Sequence, residues 1–345
     1  MCSIVTRIHF VSTKKSHIMR ILVLLFLISI GLPVNANNTD PVEIRQQQIE
    51  TILELTRENI YDHRLLDTPE WKEFEAFLKA DKTLLMDEQE FVSAFNAARK
   101  KLPFTHYNLM LKNRPKTSGE AKVPFELIEI DQSTAMIVVG DWIQDASGMV
   151  QIVLEVGSKA YENLIIDLRG NPGGTLDAAV VLGSYLTNQP MDAGVYLTRK
   201  WYEDHTEGPT REDINGFPFM QDLDFEGFRE MKQYPGFRMV LPGHDRATFQ
   251  GDVYVLTDGL TGSTCEPFVD VIKQQGIGTV IGETTFGGML SGAFFTVDDS
   301  ITLFLPVCDY YTADGRRIDK VGVTPHIATR SEDALDKALE LIAGK

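Results

Sequence analysis

Between residues 125 and 345, short apolar blocks alternate with longer stretches in which apolar positions return every three or four residues. Phe125–Ile130, Ala135–Val139 and Leu164–Leu168 have the length and composition of strands, and Tyr254-Val255-Leu256-Thr257 opens another. Met149–Tyr161 and Leu176–Leu186 carry the helical period, as does the segment after Ser263-Thr264-Cys265-Glu266. A hairpin-like region over 293–310 and a last helix from Asp333 to Ile342 complete the series. Alternation of this kind predicts an α/β core. Residues 195–248, rich in Asp, Glu, Phe, Pro and Gly, break the pattern and predict an insertion of the lid or binding type.

Upstream the pattern is helical throughout. Ile44, Ile49, Ile52 and Leu53 recur at helical spacing, and Pro69-Glu70-Trp71 starts a second helix with Phe74, Phe77 and Leu78 on one face. A third runs from Asp87 to Lys101 with Phe91 and Phe95 inward, and Pro103 stops it. The expected organisation is a small all-helical domain over 37–112, a polar linker over 113–124, and the core over 125–345 with its insertion at 195–248.

The first residues have a different composition. Lys14, Lys15 and Arg20 precede an apolar run from Ile21 to Val34, and Val34-Asn35-Ala36 supplies small residues after it. Basic, apolar, then small is the order of a signal peptide, expected over 1–36. The apolar run is short for a stable membrane span, which needs about 20 residues. Export to the periplasm or the exterior is the expectation. Residues 1–36 hold basic residues and no acid, so the formal net charge of −16 becomes more negative without them. Such acidity argues against nucleic acid or an anionic membrane as a partner. After cleavage Cys265 and Cys308 remain, either as a disulfide or as buried thiols, and no Cys/His spacing matches a metal site.

Two segments carry candidate chemistry. Ser263 stands where a strand gives way to a helix, a placement that suits a nucleophile beside a helix N-terminus. Ser263-Thr264-Cys265-Glu266 also reads as a plain capping box, with Glu266 reaching back, and the two readings are compatible. About 90 residues upstream, Arg169-Gly170-Asn171-Pro172-Gly173-Gly174 precedes a helix. A glycine pair there can leave backbone N–H groups bare, as an oxyanion requires, with Thr264 N–H as a second donor; a tight turn needing positive φ explains the glycines equally.

In order along the chain stand Leu164-Ile165-Ile166-Asp167-Leu168-Arg169-Gly170-Asn171-Pro172-Gly173-Gly174, then Ser263-x-x-Glu266, then Val280-Ile281-Gly282-Glu283-Thr284-Thr285-Phe286-Gly287, and finally Tyr311-Thr312-Ala313-Asp314-Gly315-Arg316 with Gly322-Val323-Thr324-Pro325. Over roughly residues 125–330 this resembles the tail-specific (C-terminal processing) serine peptidase superfamily. The resemblance implies a ClpP/crotonase-like spiral core and puts Ser263 at the nucleophile position. The bacterial processing peptidases use a Ser/Lys dyad, with the lysine directly after Phe-Gly. Here that position is Gly288, while Lys273 and Lys320 match no motif, and the family's usual PDZ domain is absent. A branch resembling the tricorn protease core uses Ser/His instead, with the histidine placed before the core, where this chain has His106. Its orienting acid has no counterpart, since the matching residue is Thr324; Glu266 and Glu283 are the other candidates.

The resulting expectation is an exported serine peptidase acting on peptide or protein substrates through an acyl-enzyme on Ser263. His106 is the expected general base and Gly173, Gly174 and Thr264 the expected oxyanion donors, without metal or cofactor. The alternative is a non-catalytic peptide-binding protein on a decayed peptidase core, motivated by Gly288 and Thr324. A crotonase-type acyl-CoA enzyme fits the paired N–H donors but not a signal peptide.

Overall fold

The computed structural model describes residues 40–112, 124–143, 145–220, 230–241 and 248–345. The expected signal peptide and nearly all of the expected linker lie outside the described residues.

The strands in chain order are β1 (Asn108–Leu111), β2 (Phe125–Glu129), β3 (Thr134–Val139), β4 (Asn163–Asp167), β5 (Met191–Thr198), β6 (Gly236–Leu241), β7 (Asp252–Thr257), β8 (Thr279–Gly282), β9 (Ser291–Thr296), β10 (Ile301–Tyr311) and β11 (Ile327–Ala328). One sheet has the order β11-β8-β7-β4-β3-β2. It is parallel except at β2, which forms an antiparallel hairpin with β3. The other is antiparallel, in the order β1-β10-β5-β6, with β9 also paired to β10.

The parallel sheet is covered on both faces. Alternation along β4 sends Leu164 and Ile166 into a core with Met149, Leu182 and Val269 from three helices, Ser147–Gly157, Asp177–Leu186 and Cys265–Gln274. Ile165 faces the opposite side, where Ala334 and Ala338 of the helix Ala334–Ala343 pack with Tyr254 and Ile281. Burial on both faces explains why β4 and β7 read as unbroken apolar runs. Each fully buried Leu or Ile here contributes about 1.5–3 kcal/mol.

Neither sheet closes on itself. The parallel sheet stops at the β2–β3 hairpin on one edge and at the two-residue β11 on the other. The expected ClpP/crotonase-like spiral core is therefore corrected to a mixed α/β fold with two open sheets. The described part of residues 195–248 also differs from an irregular insertion: it completes β5, forms the short helices Arg199–Asp204 and Arg211–Gly216, and supplies β6, which pairs with β5.

The helices near the N-terminus start on side-chain caps. Asp40 accepts from Val42 N–H, Thr68 from Trp71 N–H, and Asp87 with Glu90 makes a capping box. Their apolar faces, including Ile52, Trp71, Phe74 and Phe95, share one core with Leu303 and Leu305 of β10. This packing positions the segment 102–107, the source of His106, over the antiparallel sheet.

Candidate active site

Ser263 lies in the connection between β7 and the helix Cys265–Gln274. Asp258 shapes that turn, accepting from Leu260 N–H and Thr261 N–H, and it also holds Gly170 N–H of the glycine loop at 3.0 Å. Ser263 has φ 52°, a left-handed conformation that costs a non-glycine residue about 1–2 kcal/mol. Only half of the expected capping box forms. Ser263 N–H donates to Glu266 Oε2 at 3.1 Å, while the helix N-cap is Thr264 and carries no side-chain cap bond. The Ser263 hydroxyl is thus left free of the helix end and sits by the positive end of its dipole.

The glycine loop follows β4 and packs against Ser263. Asn171 organises it: its Nδ2 donates to Val139 O at 3.0 Å and its Oδ1 accepts Gly173 N–H at 2.8 Å. A Cβ on Gly174, at φ 153°, would lie 2.4 Å from the Trp142 carbonyl carbon, so the position requires glycine. Gly173 N–H is therefore already occupied, which corrects its expected oxyanion role. Gly174 N–H and Thr264 N–H have no acceptor among the described residues. Thr264 Oγ1 donates to Gly174 O at 2.7 Å and ties these two donors together. A pair of fixed, unpaired N–H groups beside a serine is the arrangement that stabilises a developing oxyanion.

His106, at φ 56°, places Nε2 3.4 Å from Ser263 Oγ. Its Nδ1 lies 2.9 Å from Thr105 Oγ1, whose proton goes to Asp319 Oδ1 at 2.5 Å. With that proton committed, Nδ1 carries the ring hydrogen and Nε2 presents its lone pair to Ser263. Burial, and then the nearby Arg99 charge, lower the His106 pKa to about 4. Asp319 is buried, which raises its pKa to about 6, and it also accepts Thr105 N–H and Met289 N–H. Sequence reasoning missed Asp319 and Thr105, because no motif marks either of them.

Neither expected orienting acid touches His106. Glu266 is fully buried and accepts Thr285 Oγ1–H at 2.6 Å, Gly287 N–H at 2.7 Å and Gly288 N–H at 2.8 Å, besides Ser263 N–H. Burial raises its pKa to about 7 against the pull of those donors. It fixes the segment opposite the nucleophile. Glu283, just past β8, accepts Ser331 N–H at 3.0 Å and Gly259 N–H at 3.4 Å.

Other candidates separate cleanly. Cys265 and Cys308 are free and buried, and burial pushes both thiols up to about 12. Lys273 Nζ donates to Thr324 O at 2.6 Å near the far end of its helix. His205 stacks on Trp201, and His326 Nδ1 accepts Val280 N–H. A Cβ on Gly288 would meet the Phe286 ring at 2.6 Å, so a longer residue there requires that ring to move. Lys320 reaches the same segment from another loop, its N–H donating to Gly287 O at 2.7 Å. Burial lowers its pKa. Among the described residues, the non-glycine positions with positive φ are His106, Ser263 and Lys320. No group of three or more His, Cys, Asp or Glu among the described residues could hold a metal ion.

Comparison with known proteins follows the same lines. The profile of peptidase family S41 matches residues 131–329. The carboxy-terminal processing protease CtpA of Bacillus subtilis (strain 168) is 27% identical over 177 residues, 51% of this chain and 30% of CtpA. CtpB of the same organism is 25% identical over 188 residues, 54% of this chain and 32% of CtpB. This chain therefore spans about a third of the length of either relative. Among solved structures, a lipoprotein from Streptococcus agalactiae shares the fold at TM-score 0.59 and 16% identity, covering 87% of this chain and 96% of that one.

These matches overturn two expectations. The sequence relatives are carboxy-terminal processing proteases and not a tricorn-like branch; the tricorn protease shares the fold at TM-score 0.52 with 12% identity, over 87% of this chain and 37% of its own. His106 as general base falls with that branch, since the processing peptidases pair serine with lysine. The geometry agrees with the correction: 3.4 Å is long for a hydrogen bond from a hydroxyl, a pKa of about 4 makes a weak base, and Asp319 reaches the ring only through Thr105.

Proposed function

We infer that this chain, which belongs to peptidase family S41, is a serine peptidase that cleaves peptide or protein substrates with Ser263 as nucleophile. The observation that carries this reading is the contact of Ser263 with the glycine loop, which leaves Gly174 N–H and Thr264 N–H unpaired beside a hydroxyl released from capping. In the proposed reaction Ser263 Oγ attacks the substrate carbonyl carbon and its proton passes to a neutral amine. The two N–H groups hold the oxyanion, and the proton then goes to the leaving amine. Water hydrolyses the acyl-enzyme and restores Ser263.

For that amine we assign Lys320. Its support is the left-handed backbone it shares with Ser263 and His106, its bond to Gly287 beside the position of the family's lysine, and a pKa lowered by burial. His106 is a positioning residue that orients the Ser263 hydroxyl. We also assign an exported setting, on the composition of residues 1–36. No described helix is long and apolar enough to cross a membrane.

The test is labelling of the folded protein by a fluorophosphonate together with cleavage of a denatured protein. Both are expected in the wild type and absent in Ser263→Ala. Undiminished cleavage by Ser263→Ala overturns the assignment.

A further inference from the structure

The two unpaired donors beside Ser263 belong to different segments. Gly174 lies in the glycine loop after β4, and Thr264 lies 90 residues later at the head of the helix Cys265–Gln274. Two N–H groups stabilise one oxyanion only while their separation is held within a fraction of an ångström. Thr264 Oγ1 supplies one tie. A second comes from the other side of the loop, through Trp142 in the segment that follows β3.

The backbone of Trp142 aims Gly174. Its N–H donates to Gly173 O at 3.1 Å, and its carbonyl accepts Thr175 N–H at 2.9 Å and Thr175 Oγ1–H at 2.8 Å. This is a parallel bridge opposite Gly174. In such a bridge the residues flanking Gly174 turn their groups toward Trp142, while Gly174 itself turns its N–H and C=O to the opposite edge. The carbonyl on that edge is the one that accepts Thr264 Oγ1–H, and the N–H beside it is the free donor.

The side chain of Trp142 ties the same residue to the other donor. It is fully buried, and its Nε1–H donates at 3.1 Å to the sulfur of Cys265, the residue after Thr264. Its ring packs on Phe268, one turn further along that helix, with centroids 5.8 Å apart. The Cys265 thiol in turn donates to Asn171 O at 3.6 Å. A buried indole N–H without an acceptor is costly, so Trp142 follows Cys265 and carries the glycine loop with it.

We propose that Trp142 is a positioning residue: it holds Gly174 N–H and Thr264 N–H in register by joining the glycine loop to the helix that follows the nucleophile. The proposal deepens the peptidase reading above and rests on it.

The experiment measures kcat and KM for a matched pair of peptide esters, one with an ordinary carbonyl and one in which sulfur replaces the carbonyl oxygen. Sulfur is a poor acceptor for N–H donors, so the ratio of the two kcat/KM values reports the donor pair itself. That ratio is independent of how much of a variant is folded. The wild type should favour the oxygen ester by about a hundredfold or more. Trp142→Phe keeps an aromatic ring and removes the indole N–H. Its kcat on the oxygen ester and its ester ratio should both fall about tenfold, while KM changes less than about threefold. Cys265→Ala should reproduce that fall, and Cys265→Ser, which keeps an acceptor for the indole, should hold the wild-type ratio. A Trp142 variant that fails to fold therefore does not end the test. An unchanged ratio in Trp142→Phe, or in Cys265→Ala where that variant does not fold, overturns the positioning role; loss of both ester activities in Ser263→Ala then leaves the peptidase reading intact. Oxygen-ester turnover that survives in Ser263→Ala overturns the two together.

Discussion

Gly173 and Ser263 stand back to back: a methyl group on Gly173 would lie 2.6 Å from Ser263 Cβ and 2.8 Å from Gly262 O. Gly173 is also at φ 100°. Space and backbone both demand glycine, from opposite sides of the same contact. Gly173→Ala is expected to destabilise the fold by about 2 kcal/mol or more and to reduce kcat/KM at least a hundredfold. Thermal melting and fluorophosphonate labelling measure the two effects. A variant that melts and labels like the wild type contradicts this account.

Lys320→Ala should lower the acylation rate at least a hundredfold with little change in Tm, because Lys320 forms no ion pair within 4.0 Å among the described residues. His106→Ala should cost about tenfold or less, as loss of a positioning contact. Single-turnover acylation of each variant decides the matter. Wild-type acylation by Lys320→Ala removes that lysine from the mechanism.

Glu266 predicts opposite pH trends for stability and activity. Its folded pKa, about 7, is raised from the ordinary 4.5 by burial. Its contribution to stability is therefore fully present below about pH 4.5 and is lost as pH rises through 7, a change of about 3 kcal/mol at one pKa unit per 1.36 kcal/mol. Activity runs the other way. Only the carboxylate accepts Ser263 N–H, Thr285 Oγ1–H, Gly287 N–H and Gly288 N–H together, so kcat should fall as pH drops through 7. Glu266→Gln should flatten the stability profile between pH 4.5 and 7 and lower kcat at every pH. Denaturant melts and initial rates across that range provide the check, and an unchanged stability profile in the variant refutes it.

Cys265 and Cys308 should resist alkylation in the native protein. Both are buried thiols with pKa raised to about 12, and Cys265 Sγ accepts Trp142 Nε1–H at 3.1 Å. Iodoacetamide at pH 8 should modify them only after denaturation, and a reducing agent should leave Tm unchanged. Rapid native labelling of either would show that the burial is wrong.

The parts of the site that are legible in the sequence are the local ones. Ser263 and the Gly173-Gly174 pair sit in short segments whose turn chemistry is written in adjacent residues. Asp319 is invisible there because its partner Thr105 is 214 residues away. The difference between Gly173 and Gly174 as donors depends on one Asn171 side-chain bond that no spacing encodes. β4 and β7 are readable because burial on both faces makes them continuously apolar, whereas β6 is hidden by the glycines and prolines around it. Open rather than closed sheets cannot be read from strand content, because closure is a property of the edges: here the β2–β3 hairpin and the short β11.

The distances along the chain between the residues that meet at the centre have a consequence in time. His106 and Ser263 are 157 residues apart, and Asp319 clamps Thr105 across 214. Contacts of such separation form late, after long loops have closed. A chain still emerging from the ribosome, or still unfolded in transit, holds the serine but not its surroundings. The clamp that sets His106 beside Ser263 therefore closes only after residues 105 and 319 have both been made.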